Sequence, residues 1–154
     1  MSYLRIAVSL LTLSLPLLAS ALPLNPDVRA DTLGATICQA GYTRTVRPST
    51  TYTNGVKRKL MREAGLDPAL VRDYELDHII PLALGGSPRA LDNLTLQPWE
   101  GEDGAKKKDK LEVRLQKCVC AGVLDLTEAQ EAISADWQEA ARHYSRLHCG
   151  KRRG

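Results

Sequence analysis

The sequence predicts an α+β domain stabilised by disulfides, and three observations carry that expectation. Two short runs, Tyr74 to Ile80 and Leu94 to Gln97, read as strands joined by a segment rich in turn residues. Three other stretches place apolar residues at three- and four-residue spacing, the mark of helices with one buried face. Four cysteines follow an N-terminal segment with the features of an export signal, so they read as two disulfides.

In chain order, Arg5 precedes an apolar run from Ile6 to Leu18, and Ala19-Ser20-Ala21 supplies the small-x-small pattern of a cleavage site. Residues 1–21 are therefore expected to be a signal peptide, too short for a confident membrane span of about 20 apolar residues. No later stretch is apolar enough to be an anchor, and the expected location is secreted or periplasmic. Residues 22–35, with Pro23 and Pro26 and no periodicity, read as a mobile leader. Residues 36–149 form the expected domain, about 130 mature residues being ample for one core, and residues 150–154 a basic tail.

Within the domain, the β-branched residues of Thr36 to Val46 predict a short strand ended by Arg47-Pro48. Tyr52 to Gly65 predicts a helix capped near Thr53 or Asn54, burying Val56, Leu60 and Ala64 and stopping at Gly65. After the two strands, Leu111, Leu115 and Cys118 define the buried stripe of a helix starting near Ala105. Thr127 with Gln130 has capping-box spacing, and Ala129, Ile133, Ala140, Tyr144 and Leu147 continue one long packing helix. His143 and His148 lie about 140° apart on such a helix, which makes them poor joint metal ligands and suits surface or capping roles.

Removal of residues 1–21 takes away one Arg and no acid, so the remaining 20 basic side chains barely exceed the 18 acidic ones. Net charge alone predicts no nucleic-acid binding, but its distribution is uneven. Arg44, Arg47, Lys57, Arg58, Lys59 and Arg62 precede the first motif strand; Lys106, Lys107, Lys108 and Lys110 follow the second; Lys151-Arg152-Arg153 ends the chain. Each cluster alone reads as a solvated face. Beside a phosphodiesterase site, Lys57, Arg58, Lys106, Lys107 and Lys108 become contacts to a nucleic-acid backbone.

The richest stretch is Asp77-His78-Ile79-Ile80-Pro81-Leu82-Ala83-Leu84-Gly85-Gly86, answered by Asp92-Asn93-Leu94-Thr95-Leu96-Gln97-Pro98-Trp99. Hydrolysis of a phosphodiester needs a water deprotonated near neutral pH, which suits an imidazole. It also needs relief for the negative charge that accumulates on phosphate, which a carboxylate-held cation supplies. The string resembles the HNH, or ββα-metal, endonuclease superfamily, over roughly Ile37 to Tyr144. The resemblance implies an HNH core with flanking helices, Asp77 as metal ligand, His78 as general base, and Asn93 as the residue orienting the His78 ring. It further implies a Mg²⁺ or Mn²⁺ cofactor, a nucleic-acid partner with DNA ahead of RNA, and disulfides Cys38–Cys120 and Cys118–Cys149.

At the third element the chain departs from the family, which places Asn and His where Gly104 and Lys106 stand here. Either Asp103 or Glu102 replaces the missing ligand, or the metal has been lost and the fold survives as a binding module. Asp103 also has the chemistry of a helix N-cap, and one carboxylate can serve both roles. The expected function is a secreted, metal-dependent endonuclease with little sequence specificity; the alternative is a catalytically inactive module that binds nucleic acid or a protein partner. Trp99, beside the motif, suits base stacking as well as packing, whereas the spacing of Trp137 favours packing.

Overall fold

The computed structural model describes residues 21–150. Residues 1–20 of the expected signal peptide and residues 151–154 of the expected basic tail lie outside them. The described chain mixes helices with a two-stranded antiparallel sheet and two disulfides, which agrees with the α+β expectation. The helices are α1 (Tyr42–Val46), α2 (Thr50–Glu63), α3 (Ala105–Cys120), α4 (Leu126–Ala135) and α5 (Trp137–His143); the strands are β1 (Tyr74–His78) and β2 (Leu94–Pro98). No helix among the described residues is long and apolar enough to cross a membrane.

Strand β1 pairs with β2 in a register that sets Tyr74 opposite Pro98 and His78 opposite Leu94. A two-stranded sheet is marginal alone in water, and this one gains support from outside the pair: α2 packs on both strands. Helix α3 follows β2 and presents Ala105, Lys108, Leu111, Leu115, Cys118 and Val119 to the interior. Leu115, Cys118, Ile37, Ile80, Leu84 and Ile133 are fully buried. Each large aliphatic side chain removed from water in this way contributes roughly 1.5–3 kcal/mol. The core therefore joins α3 and α4 to the N-terminal segment and to the loop between the strands.

Four expectations are corrected. Residues 36–46 form no strand: Thr36 Oγ1 donates to Thr32 O at 2.8 Å and Thr45 Oγ1 to Tyr42 O at 2.7 Å, so the threonines serve local turns. Gly41, at φ 85°, then turns the chain into α1. Helix α2 starts earlier than predicted, because Ser49, directly after Pro48, is the cap and accepts from Tyr52 N. Its buried residues are Val56 and Met61; Leu60 is half-buried and Ala64 exposed.

The third correction concerns residues 22–35, expected to be a leader. They pack against the domain, with Leu24 bridged to Gly86, Asn25 N donating to Gly85 O at 2.8 Å, and Val28 in the core. The fourth is the long final helix, which is broken at Asp136. That residue is extended (φ −159°, ψ 98°) and its carboxylate caps α5 by accepting from Glu139 N at 2.9 Å. The first part, α4, has Asp125 rather than Thr127 at its N-cap position, without a side-chain cap bond.

Cys38 is bonded to Cys120 and Cys118 to Cys149, the pairing the resemblance implies, with Cα separations of 5.4 and 4.4 Å. Both bridges leave the C-terminal turn of α3, one toward the N-terminal segment and one toward the end of the domain. They span 82 and 31 residues, for which loop-closure entropy gives roughly 3–5 kcal/mol each. Two disulfides suit an oxidising compartment. Peptide mapping of the exported protein without reductant is expected to recover these two linkages and no free thiol; recovery of four alkylatable cysteines, or of Cys38–Cys149, would contradict the fold.

Candidate active site

Alternation along β1 puts Glu75 and Asp77 on one face and Tyr74, Leu76 and His78 on the other. The face bearing Glu75 and Asp77 meets the first half of α3, where Lys108, Asp109 and Glu112 arrive. Lys108 is 2 % exposed. Its Nζ donates to Asp77 Oδ2 at 2.8 Å, to the His78 carbonyl at 2.7 Å and to Glu112 Oε1 at 2.7 Å. All three donors of the ammonium are used. Burial alone would lower the Lys108 pKa, but Glu112 and Asp77 outweigh it and raise it, so the charge is retained.

Lys108 is thus no surface lysine, and the expectation that it contacts nucleic acid with its neighbours is corrected. It lies on the apolar stripe of α3, three residues before Leu111. Lys106 and Lys107 are exposed and pair with Glu100 and Glu102, the latter at 3.1 Å. Lys57 is half-buried and Arg58 exposed on α2.

Beside the Lys108 cluster is a cavity of about 120 Å³ lined by Thr43, Arg47, Glu75, Asp77, His78, Asp109 and Glu112 among others. Four carboxylates and the guanidinium of Arg47 line it, and the Lys108 ammonium bonds two of the four, Asp77 and Glu112. Burial, followed by the charges of Asp77, Asp109 and Glu112, pushes the Glu75 carboxyl up to about 7. Asp109 is also raised, by burial and then by Asp77.

His78 is held from the opposite side. Its Nε2 lies 3.2 Å from the Pro88 carbonyl oxygen. A carbonyl oxygen only accepts, so Nε2 carries the proton and the neutral ring has its lone pair on Nδ1. Among the described residues Nδ1 has no hydrogen-bond partner, yet no side-chain nitrogen or oxygen is both buried and unpartnered. Nδ1 is therefore open to a water molecule. Burial, ahead of the partly offsetting hydrogen bond to Pro88 and the charge of Asp77, lowers the His78 pKa.

Asn93 makes no hydrogen bond to the His78 ring, contrary to the role implied for it. Its Oδ1 accepts from Ile80 N at 2.8 Å, and its Nδ2 donates to Ile80 O at 3.0 Å and Ser87 O at 2.9 Å. With its amide committed to backbone groups, this fully buried residue positions His78 indirectly by clamping the loop that presents Pro88. Gly86 permits the same clamp: a Cβ there would stand 1.7 Å from Ile80 O. From outside, Tyr52 Oη donates to Arg89 O at 2.8 Å, tying the loop to α2.

Asp103 is not brought to Asp77. Its carboxylate accepts from Gln138 Nε2, and its carbonyl accepts from Gln97 Nε2 at 3.0 Å. Nor does it cap α3: the cap position is Gly104, which makes no side-chain bond. A Cβ at Gly104 would come within 2.8 Å of the Glu100 carbonyl carbon, which explains glycine at this position. Glu102 is exposed and paired with Lys107. Among the described residues no three His, Cys, Asp or Glu side chains gather into a preformed metal cage.

Sequence reasoning overlooked Glu75, Asp109 and Glu112. Two signals pointed to them: the Glu75-x-Asp77 spacing, which places both on one strand face, and Lys108 with Glu112 at i,i+4. His143 and His148 are exposed, as expected. Comparison with family models, with curated proteins and with solved structures gives no match for this chain.

The raised Glu75 pKa fixes the sign of a pH effect. Between about 4.5, its ordinary value, and about 7, the folded protein binds a proton that the unfolded chain has released. Stability conferred at low pH by protonated Glu75 is thus lost as pH rises through this window. Urea denaturation of Glu75→Gln is expected to show a flatter decline between pH 4.5 and 7 than wild type; identical slopes would mean that Glu75 ionises freely.

Proposed function

We propose that this chain is an exported, metal-dependent endonuclease of the HNH type, hydrolysing DNA phosphodiesters with little regard to sequence. The observation that carries the reading is the His78 Nε2 to Pro88 hydrogen bond, which leaves Nδ1 without a protein partner on a residue that lines the same cavity as Asp77. The Asp77-His78 motif, the Asn93 that follows it, and the succession β1, β2, α3 support the same reading. Export is supported by residues 1–21 as a sequence and by the two disulfides.

The donor chemistry suits a hard divalent cation, Mg²⁺ or Mn²⁺. Glu75, Asp77 and Asp109 line one cavity, where burial first and then the neighbouring acids raise the Glu75 pKa. These residues, rather than Asp103, would hold the ion, magnesium commonly needing only one or two carboxylates together with waters and substrate phosphate. When bound, it supplies charge neutralisation for the developing phosphorane.

The chain itself supplies the rest. His78 Nδ1 accepts the proton of the attacking water, and the Pro88 carbonyl stabilises the imidazolium that forms. Asp77, fixed through Oδ2 by Lys108 and through Oδ1 by the His78 amide at 2.8 Å, keeps its orientation. Recognition of backbone rather than bases accounts for low sequence specificity.

A second reading is favoured by one feature: the Lys108 ammonium already neutralises Asp77. If it stands in for the ion, the domain is a binding module without turnover.

Plasmid cleavage by the mature protein in Mg²⁺, Mn²⁺ or chelator tests the proposal. Cleavage that requires a metal is expected, with His78→Ala slower by about 10²-fold or more at unchanged DNA affinity. Asp77→Asn is expected to weaken metal binding in calorimetry as well as turnover. Intact plasmid across both metals would leave the binding module in place of the enzyme.

A further inference from the structure

Lys108 cannot receive substrate, because its three donors are spent and it is buried. A phosphodiester approaching His78 and Asp77 would therefore meet carboxylates from Glu75, Asp109 and Glu112 with one other protein cation at the cavity, Arg47. Arg47 is exposed and, among the described residues, forms no ion pair within 4 Å. An arginine at the edge of an acidic cavity and yet uncommitted to any acid has its guanidinium available for another anion.

The backbone holds it there. Arg47 ends α1, its N–H donating to Thr43 O at 3.1 Å, and it is extended (φ −62°, ψ 129°), as a residue before proline prefers. Buried Pro48 and the cap Ser49 then begin α2. The residue is thus pinned between two helices while its side chain remains free. Its side chain lines the same cavity as Glu75, Asp77, His78 and Asp109.

We infer that Arg47 binds the scissile phosphate, its planar fork engaging the non-bridging oxygens on which charge grows as water attacks. The inference rests on the nuclease reading and deepens it, singling out one residue from a dispersed basic surface. Arg47 supplies the attraction that lets a polyanion approach a carboxylate-lined cavity, and it contacts the phosphate in both ground and transition states.

The test compares wild type, Arg47→Ala and Arg47→Lys, with thermal melts to verify folding. Readouts are plasmid cleavage in Mg²⁺ or Mn²⁺ and binding of a short DNA duplex in chelator across a salt series. Arg47→Ala is expected to cut about 10²-fold more slowly, Arg47→Lys to recover only part of the rate, and the salt slope to fall by about one in Arg47→Ala. Wild-type rate and slope in Arg47→Ala would overturn the inference and leave the nuclease reading intact. If wild type cleaves nothing, the nuclease reading fails, and the salt slope decides alone: a drop of about one upholds the Arg47 phosphate contact, and an unchanged slope rejects it.

Discussion

The ammonium of Lys108 ties α3 to β1 through hydrogen bonds to the Asp77 carboxylate and the His78 carbonyl, and its third bond, to Glu112, stays on its own helix. Two short strands gain a rigid anchor from this buried charge. Removal of a charged group from water costs several kcal/mol unless good geometry and full hydrogen bonding offset it. Here both conditions are met, and the raised Lys108 pKa is the electrostatic consequence. The same contact fixes the orientation of Asp77 and holds the backbone at His78, so the geometry of the site depends on it.

The second half of the site hangs on the loop between the strands. Asn93 clamps Ile80 and Ser87, Gly86 allows the close approach, and Gln130 Nε2 reaches from α4 to bond Leu84 O at 2.7 Å. Tyr52 secures the other end through Arg89. Elements far apart in sequence thereby place one carbonyl, that of Pro88, against one imidazole nitrogen. The division of labour is consistent: polar side chains in the core bond to backbone, and the cavity keeps the carboxylates.

Much of this was legible in the sequence. The two short runs on either side of a turn-rich segment located both strands, and the stripe Leu111, Leu115, Cys118 located α3 and its buried face. The same stripe extends back to Lys108, but a lysine among lysines reads as solvated unless its acid partners, one of them 31 residues away, are known. The packing of Leu24 and Val28 was not legible, because docking on Gly85 and Gly86 needs no periodicity. The break at Asp136 was hidden for a related reason: apolar spacing continues across it, and only the cap bond to Glu139 N marks a new helix. For Asn93 the motif gave the residue but not its partners, since backbone acceptors leave no trace in sequence.

The most direct test of this account is the stability of Lys108→Met, measured by urea denaturation at neutral pH. Methionine preserves most of the side-chain volume while leaving Asp77 and Glu112, whose side chains are 14 % and 16 % exposed, without their cation. A loss of about 3 kcal/mol or more is expected, as for a buried pair deprived of one partner. A loss below about 1 kcal/mol, the scale of a surface ion pair, would contradict the central place given to Lys108.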